Sequence, residues 1–285
     1  MPDFHTSGNT IKQKKETPTT CVGAVEKLIG KLRTLDTEVN VQQLNVLALD
    51  IETSLMQAYV FATGEQFIGH SDIKEDWHIL AFGSKWVGEP TITYKETRTK
   101  DDRALLSVLW KLLDKADIVL TQNGTKFDAK KINARFMLQG FPPPKPYVHF
   151  DTYKLTKKVA SFTSHSLAYL TSKFCKKHKK TSHGDFPGKR LWIECSKGNP
   201  KAWKAMKAYN IDDVLSLEEL YLKIRAWAPD VMPKVFPVTD ASSQCGSCGY
   251  EGQMREGKTR QAKKYTYKQH SCPSCGHWQP GERIK

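Results

Sequence analysis

The sequence has no apolar run close to the 18 residues that a membrane-spanning helix requires. Residues 1–20 are polar and lack the apolar core of a signal peptide. We therefore expect no membrane partner and a cytoplasmic location. The seven cysteines are an odd number, which disfavours a complete disulfide framework and fits a reducing compartment.

Acidic residues are scarce relative to basic ones. The 30 Asp and Glu residues stand against 44 Lys and Arg, which gives a net charge of +14 and a pI near 9.3. This excess favours a polyanionic partner, most simply nucleic acid, although general solubility is the alternative explanation. The charge is densest between residues 154 and 190, where aromatic side chains are interspersed. We expect a phosphate-binding surface there, with a solvated basic loop as the alternative, and its candidate contacts are Lys176, Lys177, Lys179 and Lys180.

Two carboxylates follow an apolar run in the segment Leu47–Thr53. Asp50 and Glu52 are two residues apart, so in a strand they would project from the same face. Two acids directed at one point repel each other unless a cation lies between them. The pair therefore predicts half of a Mg²⁺ or Mn²⁺ site.

Two further motifs carry acids at the start of helices. Asn123 and Asp128 belong to an N-x-x-x-F-D pattern that follows the apolar run Ile118–Thr121, and Asn-Gly predicts a tight turn before the helix. Tyr209 and Asp213 are four residues apart and share one helix face. Taken alone, each acid has an ordinary explanation, as a charge favoured near a helix N-terminus or as part of a solvated surface.

Together, D-x-E, N-x-x-x-F-D and Y-x-x-x-D in this order resemble the exonuclease motifs of the DEDD (DnaQ-like) superfamily, and the tyrosine resembles that of its Tyr subtype. The resemblance covers residues 45–229. The segments Asp76–Leu80, Asp151–Thr152 and Tyr209–Tyr221 look like a group of ribonuclease H-like exonucleases often carried by phages. A phage origin would place the protein in the host cytoplasm.

The resemblance implies 3′→5′ removal of nucleotides from DNA or RNA 3′ ends, with DNA slightly favoured. It also implies two Mg²⁺ or Mn²⁺ ions held by Asp50, Glu52, Asp128 and Asp213. Two such ions can activate a water, bridge the phosphate and stabilise the leaving oxygen. Tyr209 is predicted to orient the attacking water, because a phenol with a pKa of about 10 is a weak base at neutral pH.

Asn123 and Phe127 are the predicted substrate contacts within the second motif. The other predicted substrate contacts are the four lysines named above. An RNA-processing exonuclease is the nearest alternative. A non-catalytic nucleic-acid-binding protein on the same scaffold is another, and a structure-specific endonuclease would use the same chemistry.

The C-terminal region carries two C-x₂-C pairs. Four thiolates at this spacing predict one structural, tetrahedral Zn²⁺ in a zinc ribbon, with Gly249 and Gly276 turning the chain back around the metal. Disulfides and a substitute ligand, His277, are the alternatives. The basic, aromatic segment between the pairs could bind nucleic acid or dock a protein partner. The predicted zinc ligands are Cys245, Cys248, Cys272 and Cys275.

The fold class predicted from these patterns is α/β, with a ribonuclease H-like mixed sheet flanked by helices and a small C-terminal zinc ribbon. The predicted organisation is a disordered basic leader at 1–20, a nuclease domain at 21–228, a proline-rich linker at 229–240 and the ribbon at 241–285. Strands are predicted at Leu44–Ile51, Ala58–Phe67, Ile79–Val87, Ile118–Thr121 and Val148–Phe150. Helices are predicted at Thr20–Leu35, Asp101–Ala116, Lys126–Gln139, Ser166–Lys176, Pro200–Met206 and Tyr209–Ala226.

Overall fold

The computed structural model describes residues 44–180, 184–228, 240–262 and 265–284. All of them belong to one compact unit, Gln42–Lys285. The predicted leader, the predicted helix at Thr20–Leu35 and nearly all of the predicted linker lie outside the described residues.

The chain forms ten strands and six α-helices in the described part. The strands are β1 (Val46–Thr53), β2 (Gln57–Ala58), β3 (Ile73–Glu75), β4 (Ile79–Trp86), β5 (Ile92–Glu96), β6 (Ile118–Thr121), β7 (Val148–Asp151), β8 (Arg255–Ala262), β9 (Tyr265–Ser271) and β10 (Trp278–Arg283). The helices are α1 (Arg103–Lys115), α2 (Asp128–Leu138), α3 (Thr152–Val159), α4 (Leu167–Phe174), α5 (Arg190–Ser196) and α6 (Pro200–Ile224).

The main sheet has five strands in the order β5-β4-β1-β6-β7. β1 pairs with β4 in antiparallel orientation and with β6 in parallel orientation, and β7 continues the parallel half. The sheet is therefore mixed, as predicted. β1 is its central strand, and Asp50 and Glu52 lie beyond the end of its pairing with β6, where β4 alone remains paired with it.

The two faces of β1 bury different apolar residues. Leu47 and Leu49 lie in a core with α1 and α2, whereas Val46 and Ala48 lie in a second core with α6. The alternation of a strand assigns residues 46, 48, 50 and 52 to the same face. The carboxylates at positions 50 and 52 therefore continue the α6 side of the sheet.

The structure differs from three sequence predictions. The predicted strand at Ala58–Phe67 is reduced to the two residues of β2, and its apolar side chains are exposed because no neighbouring strand covers them. The two predicted helices at Pro200–Met206 and Tyr209–Ala226 are one helix, since neither Lys207 nor Ala208 interrupts it. Among the described elements before residue 228, β3, β5 and α5 were not predicted.

The C-terminal strands form a separate sheet in the order β10-β9-β8. No α-helix in the described ranges is both long enough and apolar enough to cross a lipid bilayer.

Candidate active site and zinc centre

The end of β1 places Asp50 and Glu52 on the side of the sheet that α6 covers. Asp50 is paired with Gly83 of β4 in the sheet register. A side chain at position 83 would collide with Asn210 of α6, so glycine permits the close approach of this helix to the sheet. Asn210 is fully buried, and its Nδ2 donates to Asp50 Oδ2 at 2.6 Å. The amide therefore fixes the orientation of the Asp50 carboxylate.

Asp128 is the first residue of α2 and is 5% exposed. Its Oδ1 accepts a hydrogen bond from the backbone N–H of Ile51 at 3.2 Å, so the carboxylate lies against β1 between the two acids of that strand. The turn before α2 is built by Asn123, which has a φ of 61°. Asn tolerates this left-handed conformation better than most residues.

Asp151 holds the same turn from the neighbouring strand. Its carboxylate accepts from the backbone N–H groups of Asn123 and Thr125 at 2.9 and 3.1 Å, and it also caps α3. Asp151 therefore has a structural role at the turn and at the start of α3. Of the two substrate contacts predicted in this motif, Asn123 forms the turn, and Phe127 is 42% exposed beside Asp128.

α6 supplies Tyr209 and Asp213 from one face. Asp213 is 3% exposed, and its Oδ1 has no hydrogen-bond partner within the described part of the chain. A buried carboxylate oxygen without a partner costs free energy unless a cation or water binds it. This atom is therefore suited to a metal ion.

Burial raises the pKa values of all four acids. Burial raises the pKa of Asp50 well above its usual range, and the charges of Glu52, Asp213 and Asp128 add to this effect. Burial also raises the pKa of Glu52 to about 7 and that of Asp128 to about 6. The pKa of Asp213 is raised by burial, which the charge of Lys180 opposes. Each shift shows that the folded chain resists carrying these negative charges without a counter-ion.

The donor set fits divalent metal ions of the Mg²⁺ type. Carboxylate oxygens are hard ligands, and four of them provide the negative charge that two such ions require. Within the described residues, no three of these acids offer ligand atoms that all lie within 4.8 Å of one another. The carboxylate groups therefore line a shared space and do not converge on a single point.

The structure places Lys180 apart from the other three predicted lysines. Its Nζ donates to Tyr209 Oη at 2.6 Å and forms an ion pair with Asp213. Lys176 and Lys177 are instead exposed at the surface, where their backbone N–H groups donate to the Glu219 carboxylate. Lys179 is also exposed. Lys180 thus belongs to the acid cluster, whereas the other three lie on the surface.

Two residues of the site were not predicted from the sequence. Trp192 of α5 donates from Nε1 to Glu52 Oε2 at 2.8 Å, and its ring lies edge-on to Tyr209 with centroids 6.4 Å apart. Asn210 holds Asp50 as described above. Asn210 had a weak signal, because it directly follows Tyr209 in the third motif, but Trp192 lies in no motif. His165 contacts Thr156 Oγ1 at 3.1 Å and is not one of the residues that contact the acids in the hydrogen bonds described above.

The four predicted zinc ligands come together at the C-terminus. Their Sγ atoms all lie within 4.8 Å of one another, with Cys245–Cys275 at 3.8 Å and Cys248–Cys272 at 3.7 Å. These separations are far longer than the roughly 2.05 Å of a disulfide bond. Four thiolates at this spacing fit a tetrahedral Zn²⁺.

Both knuckle glycines adopt the expected positive φ, 73° at Gly249 and 78° at Gly276. His277 uses Nδ1 to contact the carbonyl oxygen of Ala226 at 2.8 Å and is not one of the clustered ligands.

Comparisons with known proteins agree with this fold. A family model described as the RNase H superfamily matches residues 70–225, which is more than half of the chain. The match includes Asp128, Tyr209 and Asp213 and begins after Asp50 and Glu52. A search of curated proteins finds no match.

Among solved structures, the chain is similar to the family B DNA polymerase from the hyperthermophilic archaeon Pyrobaculum calidifontis. The TM-score is 0.52, and the sequence identity is 15%. The similarity covers 78% of this chain but only 31% of the polymerase. At this identity the likeness concerns the fold alone.

Proposed function

The chain belongs to the RNase H superfamily, and on this premise we propose that it is a metal-dependent 3′→5′ exonuclease of the DEDD type and the Tyr subtype. One observation carries the proposal. Three segments distant in sequence bring four carboxylates to the end of the central strand, and burial raises the pKa of each of them.

The four acids would hold two divalent ions. When bound, such ions supply the positive charge that activates a water and stabilises the leaving oxygen of a phosphodiester. The chain's own contribution is to fix its ligands. Asn210 orients Asp50, Trp192 orients Glu52, and the N–H of Ile51 orients Asp128.

Tyr209 remains a protonated donor in this environment. Burial raises the pKa of its phenol, and the charges of Asp213, Glu52 and Asp50 raise it further. A phenol that does not ionise at neutral pH can position a water by hydrogen bonding but cannot act as its base. Its bond to Lys180 Nζ keeps the phenol oxygen next to Asp213.

We further propose that the nuclease domain ends near residue 228, that residues 229–240 link it to the ribbon, and that DNA is the first substrate to test. RNA is the second substrate. Lys176, Lys177 and Lys179, which are exposed on the surface, would contact the substrate phosphates.

The decisive experiment uses single- and double-stranded DNA and RNA with a label at the 5′ end, in Mg²⁺ or Mn²⁺. A 3′→5′ exonuclease shortens the labelled strand stepwise from full length and leaves a circular single strand intact. Asp213→Asn should abolish the product ladder, whereas the matched change at the adjacent acid, Asp212→Asn, should leave it close to wild type. Cleavage of the circle would indicate an endonuclease. Binding without products from the wild-type chain would indicate a non-catalytic scaffold, and either result would refute the proposal.

A further inference from the structure

The ribbon sheet places six aromatic and arginine side chains on one face. In the register of the central strand β9, Tyr267 lies opposite both Arg260 of β8 and Arg283 of β10. Ser271 lies opposite both Arg255 and Trp278. Residues directly opposite one another share a face, and so do residues two apart along a strand. We call the resulting surface the aromatic–arginine face: Arg255, Arg260, Tyr265, Tyr267, Trp278 and Arg283.

The opposite face of the same sheet packs on the first zinc knuckle. His270 lies opposite Glu256 and Gln279, so these three side chains project to that side. Gln279 is 6% exposed, its Nε2 donates to the carbonyl oxygens of residues 241 and 244, and its Oε1 accepts from the N–H of Gly246. The aromatic–arginine face is therefore turned away from the knuckle. Its three arginines are exposed, and Trp278 is 56% exposed.

The charge of the aromatic–arginine face has one sign. It carries three arginines, and no Asp or Glu occupies a position that the register of the described residues assigns to it. Glu256 lies on the opposite face beside Lys268, with the charged atoms 3.5 Å apart, and Glu282 lies at the bulge between Pro280 and Arg283. A polyanion meets no repulsion on this side of the sheet.

Contacts with neighbouring residues order the planar side chains on this face. The Arg283 guanidinium lies 4.6 Å from the centroid of the Tyr265 ring, and the rings of Tyr265 and Tyr267 are 6.5 Å apart in an edge-on arrangement. The Trp278 ring lies directly over Gly257, where a Cβ atom would collide with it. Rings that are already ordered lose little conformational entropy when a base stacks on them.

We propose that the aromatic–arginine face binds single-stranded nucleic acid, with bases stacking on its rings and phosphates contacting its arginines. The exposed ring of Trp278 and the half-buried rings of Tyr265 and Tyr267, interleaved with arginines, suit the unpaired bases of a single strand. A duplex hides the faces of its bases, and a protein partner would require a larger uncharged centre than this surface offers.

The knuckles also connect the face to the proposed active site. Ser247 Oγ donates to the carbonyl oxygen of Arg225 at 2.8 Å, and His277 contacts that of Ala226, both just beyond the end of the helix that carries Asp213. From Asp213 to Arg225 is roughly 18 Å along a helix axis. The ribbon would therefore bind the substrate at a distance from its reacting end. The choice of nucleic acid as partner rests on the proposed function.

The test measures binding by the full-length Asp213→Asn protein to 5′-fluorescent single strands of 30 and 6 nucleotides, by anisotropy, without a chelator so that zinc is retained. Arg260→Glu combined with Arg283→Glu should weaken binding of the 30-mer and flatten its salt dependence, since each lost phosphate contact removes about 0.7 from the log–log slope for a single strand. Trp278→Ala should weaken binding about 5- to 140-fold, which corresponds to one lost base stack. Binding of the 6-mer should change little.

Lys268→Glu provides the matched control for each of the two single arginine reversals, because it makes the same charge reversal on the opposite face of the same sheet. Arg260→Gln combined with Arg283→Gln removes charge without adding any, and zinc content reports that each variant is folded. If the two arginine reversals weaken binding no more than Lys268→Glu does, the proposal is wrong and the face serves another partner, such as a protein.

Cleavage of a 6-mer by the ribbon variants on the wild-type background separates this proposal from the proposed function. Normal cleavage with unchanged 30-mer affinity refutes the ribbon proposal alone. Face-dependent binding by a chain that cleaves nothing refutes the exonuclease alone.

Discussion

Replacing Glu52 with glutamine should stabilise the protein in the absence of Mg²⁺ and Mn²⁺. The folded pKa of Glu52 is about 7, against 4.5 for the free side chain. Because the folded value is the higher one, the folded state holds the proton more tightly than the unfolded state. The penalty for the charged form is absent below pH 4.5, grows between pH 4.5 and 7, and is complete above pH 7.

At about 1.36 kcal/mol per pKa unit, this penalty reaches about 3 kcal/mol at pH 8 and less than about 1 kcal/mol at pH 5. Glutamine is never charged, and its side-chain oxygen can still accept from Trp192. Glu52→Gln should therefore raise the melting temperature at pH 8 by roughly 6–12 °C, for a domain of about 200 residues. The gain at pH 5 should be much smaller.

The assay is thermal unfolding by circular dichroism at 222 nm, because the described helices all precede residue 228 and therefore report on the proposed nuclease domain. Chelators are omitted, which keeps zinc in the ribbon. The exposed Glu89→Gln is the matched control and should shift the melting temperature little at either pH. In saturating Mg²⁺ the wild type should gain more than the variant, since binding to the folded state alone stabilises it by about 2.7 kcal/mol at one hundred times Kd. A lower melting temperature for Glu52→Gln at pH 8, or equal gains at both pH values, would refute the burial argument.

The spacing of acids and cysteines carried most of the information about the candidate sites. A strand places residues 50 and 52 on one face, and a helix does the same for residues 209 and 213, so local periodicity alone brings each pair together. The two C-x₂-C pairs work in the same way, since each knuckle is built from neighbouring residues. The zinc cluster followed from such local rules, whereas the order of the strands in the sheet was not predicted.

The residues that contact the acids could not be predicted from local spacing. Trp192, Asn210 and Lys180 act on carboxylates that are between 33 and 160 residues away along the chain. Such contacts depend on how the helices pack on the sheet. Local periodicity in the sequence does not determine that packing. Lys180 was grouped with its neighbours because a run of like charges is usually exposed, and only the fold turns this one side chain inward.

The predicted strand at Ala58–Phe67 failed for a related reason. Tyr59, Val60 and Phe61 favour a strand by propensity, but a strand also needs a neighbour. In the structure only Gln57 and Ala58 pair, with β3, and Gly64 has a φ of 105°, which is outside the strand region. Strand propensity therefore predicted a strand at these residues, but in the folded chain their side chains are exposed.

Three further outcomes follow from the site and the zinc centre. Tyr209→Phe should lower the cleavage rate by about 10²-fold or less, because water positioning weakens while the ligands stay in place; a loss as complete as that of Asp213→Asn would contradict an orienting role. Lys180→Gln should lower the melting temperature without Mg²⁺ and reduce the Mg²⁺ concentration needed for half-maximal stabilisation, because it removes the cation paired with Asp213; a higher Mg²⁺ requirement would contradict this. Finally, the protein should contain about one Zn²⁺ per chain, and Cys272→Ser should lose it and unfold the ribbon, whose folding depends on the metal. Because donors from the knuckles satisfy the carbonyl groups of Arg225 and Ala226, amide hydrogen exchange should then increase at the end of α6 while Asp213 and the sheet stay protected. Exchange that is unchanged at the end of α6 would show that this helix terminus does not depend on the ribbon.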